Sequence, residues 1–170
     1  MARNTAGFPL FLALLLLLSS ASHAEPEPFQ VPSPSRTDIC PVCGMFVAKY
    51  AEWVATVLYN DGHAHHFDGA KDLFKYLLDL PKYTPDHTEE QISAIGVTEY
   101  YGLKRIDARS AWYVIGSDVL GPMGHELVPL ASKADAHAFL QDHQGVEIVR
   151  FADVTRQMLT GLDEGRFGAD

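Results

Sequence analysis

The stretch AEWVATVLYNDGHAHHFDGAKDLFKYLLDL, residues 51–80, constrains the fold more than any other. Trp53, Ala55, Val57 and Tyr59 alternate with Val54, Thr56 and Leu58, the period of two that a strand requires. Asn60-Asp61-Gly62 is a hairpin turn, because Gly62 can take positive φ. A short strand through His65–Phe67 returns. Asp68 is then placed to cap a helix whose apolar face is Leu73, Phe74, Leu77 and Leu78. LPKYTPDHTEEQ, with two prolines, predicts a surface loop, and ISAIGVTEY the next strand.

The second half repeats this order. AWYVIG (111–116) predicts a strand, SDVLGPMGH a turn-rich loop carrying Met123, and ELVPL a strand that Pro129 marks as an edge or bulge. Ser132 opens a capping-box-like SKAD, with Asp135 where Glu or Gln is usual. The helix carries Ala136, Phe139 and Leu140, Gly145 ends it, and VEIVRF is a final strand. The expected fold class is therefore α+β, two β-β-α-β units in tandem with a helix on one face of each sheet. The pattern of elements repeats, whereas the residues do not. DVTRQMLTGL predicts a terminal helix with Val154, Met158 and Leu162 on one face, followed by a loose tail.

Ahead of these units, Arg3 and the run FPLFLALLLLL read as the start of a secretory signal peptide over residues 1–24, cut after Ala24. Residues 25–37, rich in Pro, Ser and Glu, predict an extended linker with nothing to bury. The domain proper spans 38–155, with units at about 38–98 and 111–151, and 156–170 hold the terminal helix and tail. A formal charge of −9 disfavours nucleic acid, which needs a basic stripe. No nucleophile elbow, phosphate loop or Ser/His/Asp pattern is present, and no catalytic residue is expected. Asp61 and Asp68 are explained by turns and caps.

The two cysteines fall in CPVCGMF (40–46), with Met45 two residues past the second. A C-x-x-C disulfide closes too short a loop to stabilise much by chain entropy. Soft thiolate and thioether ligands select Cu(I), and a thioether is a poor zinc ligand. Gly44 lets Cys43 and Met45 face one ion. Met123 and His125, in a loop bracketed by glycines, form a plausible second arm, so Cys40, Cys43, Met45, Met123 and His125 are the candidate metal ligands. Two alternatives stand beside this reading. Cys40 and Cys43 could be a redox dithiol, although a hairpin follows where such a pair usually precedes a helix. They could also be half of a zinc site completed by HAHH (63–66), although alternation points His65 and His66 to opposite faces. His87, His137 and His143 are expected on surfaces, without a role.

The segments CPVCGMFVAKYAEWVATVLYNDGHAHHFDGAKDLFKYL and IGVTEYYGLKRIDARSAWYVIGSDVLGPMGHELVPLASKADAHAFL together resemble the NosL family over about residues 38–155. The order and spacing of VTEY, IDA, AWYV and PMG carry the resemblance. It implies a fold related to the alkylmercury lyases. It also implies a periplasmic Cu(I)-binding metallochaperone, not an enzyme, serving the assembly of the copper centres of nitrous oxide reductase. The implied partners are a periplasmic solenoid protein and its ABC transporter. The family's Cys-Gly-Met segment maps onto Cys43, Gly44 and Met45, and its PMG methionine onto Met123; His125 is added from the local spacing. Many members are lipoproteins, and this chain has no lipobox cysteine, so it is expected free in the periplasm or held by an uncleaved leader. Cys40 is either a ligand or a disulfide partner of Cys43.

Overall fold

The computed structural model describes Met1 and residues 29–167, so the expected signal peptide lies outside the described residues, Met1 apart. The hairpin read from residues 53–67 forms as β1 (Ala55–Tyr59) and β2 (Ala64–Phe67), paired antiparallel from Ala55 opposite Phe67 to Leu58 opposite Ala64. Gly62 takes φ +87° in the turn, a conformation that costs glycine nothing. The helix follows as α1 (Ala70–Leu77). LPKYTPDHTEEQ differs from the expected loop: its first residues make a short helix, α2 (Leu80–Tyr83), because a proline in the first turn lacks only an N–H that would be orphaned anyway. β3 (Ile92–Thr98) pairs with β1, and β4 (Arg105–Asp107) adds a short edge that the pattern did not announce, giving a four-stranded sheet in the order β2-β1-β3-β4.

The second unit comprises β5 (Trp112–Ile115), a two-residue hairpin of β6 (Leu120–Gly121) and β7 (Gly124–His125), β8 (Val128–Leu130), α3 (Lys133–Asp142) and β9 (Glu147–Arg150). Its sheet runs β8-β5-β9, so Pro129 does lie on an edge strand, where its missing N–H breaks no ladder. Ser132 caps α3 by accepting the Asp135 amide at 3.0 Å. Both units thus contain the β-β-α-β order, the first with α2 and β4 added and the second with the β6–β7 hairpin. α4 (Arg156–Asp163) closes the chain with Leu159 and Leu162 buried.

The main core is shared by both units. Val57, Phe67, Leu73, Tyr76 and Ile95 of the first meet Tyr113, Ile115, Leu127 and Val149 of the second, together with Leu159 and Leu162. β5 is apolar on both faces: Tyr113 and Ile115 enter this core, and Val114 joins a smaller cluster with Val128, Leu130, Ala136 and Phe139 under α3. Tyr113 is fully buried here, with its hydroxyl donating to the Ala108 carbonyl at 2.7 Å.

Two expected loose segments are packed. The linker packs Phe29 and Val31, both half-buried, against Gly96 of β3, where a Cβ would lie 2.6 Å from Val31 Cγ2. The tail brings Phe167 edge-on to His125, ring centres 4.7 Å apart, and donates the Arg166 amide to the Gly161 carbonyl at 2.8 Å. Among the described residues no helix is long and apolar enough to cross a membrane.

Candidate metal centre

The site is assembled at the N-terminus of α1. Gly69 is the N-cap residue and no side chain caps the helix, so Asp68 does not perform the capping expected of it. Asp68 and Asp72, four residues apart, flank the first turn, where the helix dipole favours carboxylates. The Cys40–Met45 loop folds onto them. The Cys40 amide donates to the Met45 carbonyl and the Gly44 amide to the Cys40 carbonyl, both at 2.8 Å, and Gly44 takes φ +78°. The Cys40 thiol donates to Asp72 Oδ2 at 3.4 Å and the Cys43 thiol to Asp68 Oδ1 at 3.2 Å. Ligand atoms of Cys40, Cys43, Asp68 and Asp72 all lie within 4.8 Å of one another.

Cys40 is 1% exposed, and Cys43 is half-buried. Neither is in a disulfide. Burial pushes both thiols up, Cys43 to about 12, and the Asp72 charge beside Cys40 and the Asp68 hydrogen bond to Cys43 act in the same direction. Backbone amides oppose the rise: those of Cys43 and Val42 face the Cys40 sulfur, and that of Met45 faces the Cys43 sulfur. The loop therefore turns amides toward both sulfurs, while burial and the facing carboxylates keep the thiols protonated. Asp68 Oδ2 is buried with no partner among the described residues, an acceptor left over for a cation.

The second unit reaches the same helix terminus. Lys71, 1% exposed, donates from Nζ to the Met123 carbonyl at 2.8 Å and pairs with Asp163 at 3.1 Å. Its amide donates to Glu126 Oε2 at 2.8 Å. Gly69 and Gly121 pack against Glu126 so closely that a Cβ on either would lie within 2.5 Å of its side chain. Asp163 also pairs with Lys75 at 2.8 Å, and Lys75 with Asp72 at 3.6 Å, so a chain of charges runs from the thiol cluster to the Met123 turn.

Burial raises the Glu126 carboxyl to about 8, from an ordinary 4.5 when unfolded. Between those values the folded chain holds a proton that the unfolded chain releases. Stability from this group is therefore full below pH 4.5 and is lost as pH rises to about 8. Glu126→Gln is expected to flatten the decline in urea midpoint from pH 5 to pH 8; an unchanged slope would assign the decline elsewhere.

The cysteines expected as ligands are thus brought together, and two carboxylates join them that the sequence reading assigned to turns or passed over. Their signal was available as the D-x-x-x-D spacing across a helix start. Met45 is half-buried at the end of the loop, and Met123 is 42% exposed in the β6–β7 turn. His125 turns to Phe167, with a buried Nδ1 that has no partner among the described residues, and no histidine belongs to the four-residue group. HAHH therefore does not complete a site with the cysteines. His66 Nδ1 lies 2.9 Å from Thr56 Oγ1 and its Nε2 3.8 Å from Asp38, while His65 faces the other way, as alternation predicts.

The sequence model of the NosL family matches residues 31–159. Among solved structures, the crystal structure of the copper chaperone NosL from Shewanella denitrificans is 28% identical, with a TM-score of 0.61 over 76% of this chain and 98% of that one. The solution structure of apo-NosL from Achromobacter cycloclastes is 26% identical, with a TM-score of 0.43 over 62% of this chain and 87% of that one. A comparison with curated proteins found no match.

Proposed function

The chain belongs to the NosL family, and from that premise we propose that it is a periplasmic Cu(I) metallochaperone that delivers copper for assembly of the nitrous oxide reductase copper centres. The copper chaperone from Shewanella denitrificans supports the choice of cargo. The single observation that carries the reading is the pair of protonated thiols held side by side by the Cys40–Met45 loop and the start of α1. Two thiolates satisfy a low-coordinate soft ion. Met45 and Met123 supply thioethers that do not titrate, and His125 would need to turn from Phe167 to join them.

Loading breaks each S–H bond as an S–Cu bond forms. Asp72 and Asp68 accept those hydrogens in hydrogen bonds before loading, and the displaced protons leave to solvent. Delivery reverses the exchange: a sulfur or imidazole of the partner displaces one protein sulfur at a time. The partner in this reading is the maturation machinery, a periplasmic solenoid protein with its ABC transporter.

Because both thiols are raised, each remains protonated through neutral pH, and every thiolate the ion recruits costs one proton. Anaerobic Cu(I) titration of the reduced protein against a competing chelator is expected to give one ion per chain. The logarithm of its affinity should fall by about one for each pH unit lost, per thiolate recruited. A slope near two over pH 6–8 assigns both cysteines and a slope near one a single thiolate, whereas a flat profile would remove the thiols from the site.

A second reading has one observation in its favour, since two sulfurs and two carboxylates are also a donor set zinc accepts. A structural zinc module unfolds when chelated. The large shared core argues for a fold that persists without metal. Thiol–disulfide exchange is disfavoured, because it needs a thiol pKa lowered by its surroundings and both are raised.

A further inference from the structure

At the opposite end of β2 from Asp68, three imidazoles gather on a floor of two tyrosines. His63 and His65 come from the hairpin tip and His87 from the loop after α2. Their ring centres are 4.7 Å (His63–His65), 5.4 Å (His63–His87) and 6.4 Å (His65–His87) apart. Tyr59 stacks on His87 at 4.1 Å, and Tyr76 meets His65 edge-on at 5.2 Å. The Asp61 carboxylate accepts the His63 amide at 2.9 Å and lies 3.4 Å from His87 Nε2.

Stacking alone explains part of this. It does not explain His65 Nδ1, which is buried and without a partner among the described residues. Leaving such a nitrogen unsatisfied costs free energy. Two imidazoles bound to one tetrahedral ion have ring centres roughly 5 Å apart, from a metal–nitrogen bond of ~2.0 Å plus the ring itself. The His63–His65 and His63–His87 separations lie near that value, while the His63 and His87 rings are stacked at 8°, so their in-plane nitrogens converge on one ion only after His63 turns. His63 is exposed and free to turn, and Asp61 is a hard donor at the open side.

We propose that His63, His65 and His87, with Asp61, form a second metal site for a divalent ion of borderline softness, of the Zn(II) or Cu(II) class, separate from the thiol cluster. Imidazole and carboxylate suit such ions, whereas the two-thiol cluster suits Cu(I).

The test separates this site from the first. A Cys40→Ser/Cys43→Ser full-length chain, titrated with Zn(II) alone by calorimetry, is expected to bind one equivalent saturably. Adding His63→Ala, at an exposed position that does not endanger the fold, should weaken binding at least about tenfold, and His87→Ala likewise. In the wild-type chain, Zn(II) should move the ring signals of His63, His65 and His87 in NMR spectra and leave those of His137 and His143 in place. No saturable Zn(II) in the thiol-free chain, or binding indifferent to His63 and His87, would overturn the proposal. His63→Ala is expected to leave Cu(I) affinity unchanged, so failure here and failure of the thiol site are distinguishable.

Discussion

Cys43→Ser is expected to lower Cu(I) affinity by at least about a thousandfold, a loss of roughly 4 kcal/mol, because a hydroxyl offers a soft ion almost nothing in place of a thiolate. Cys43 is the more accessible of the two thiols, and its neighbour two residues on is Met45. Serine is close to isosteric and can still donate to Asp68, as the Cys43 thiol does at 3.2 Å, so the fold should be untouched and the loss should read on binding alone. Competition with a Cu(I) chelator under anaerobic conditions measures it directly. Wild-type affinity in Cys43→Ser would end the assignment of this loop as the copper site. Asp68→Asn is the informative companion. An amide accepts the thiol hydrogen less well and carries no charge, so it should alter the pH slope of binding more than the affinity at high pH.

Lys71→Met is expected to cost about 3 kcal/mol of stability and to lower the thermal midpoint by roughly 10 °C, since removing one member of a buried charged network strands the others. The ammonium is buried between the Met123 carbonyl and Asp163, and it lies close to Glu126. Its loss leaves a carbonyl without its donor and unfastens the β6–β7 turn from α1. Lys75→Met, at the more exposed end of the same chain of charges, should cost less than about 1 kcal/mol. Calorimetric unfolding of the two variants decides it. Equal small losses would mean that the Met123 turn is held by packing and not by Lys71.

Much of the fold was legible because its signals are local. The alternation in residues 53–59, the turn glycine at 62, the Ser132 cap and the proline on β8 each act within a few residues, and each element formed where its pattern lay. The cluster of sulfur side chains was legible for the same reason, being three within six positions. What failed was the assignment of residues whose partners are remote in sequence. Asp68 read as a cap because nothing nearby tells that Cys43, 25 residues earlier, would reach it. His87 read as surface because its stacking partners, Tyr59 and His63, belong to another element. Phe29 and Val31 read as linker because Gly96, which admits them, is some 65 residues away.

The sequence by itself determined the two β-β-α-β units, the pairing of soft donors in one loop and the family. Only the tertiary structure decided that burial, with Asp72 and Asp68 beside the sulfurs, keeps the thiols protonated, and that Lys71 and Glu126 bind the second unit to the same helix terminus. The physical reason is the range of the forces involved. Hydrophobic periodicity, turn conformation and capping are settled between near neighbours along the chain. A buried carboxylate or ammonium is tolerable only where distant segments bring it a partner, and no periodicity records which segment that will be.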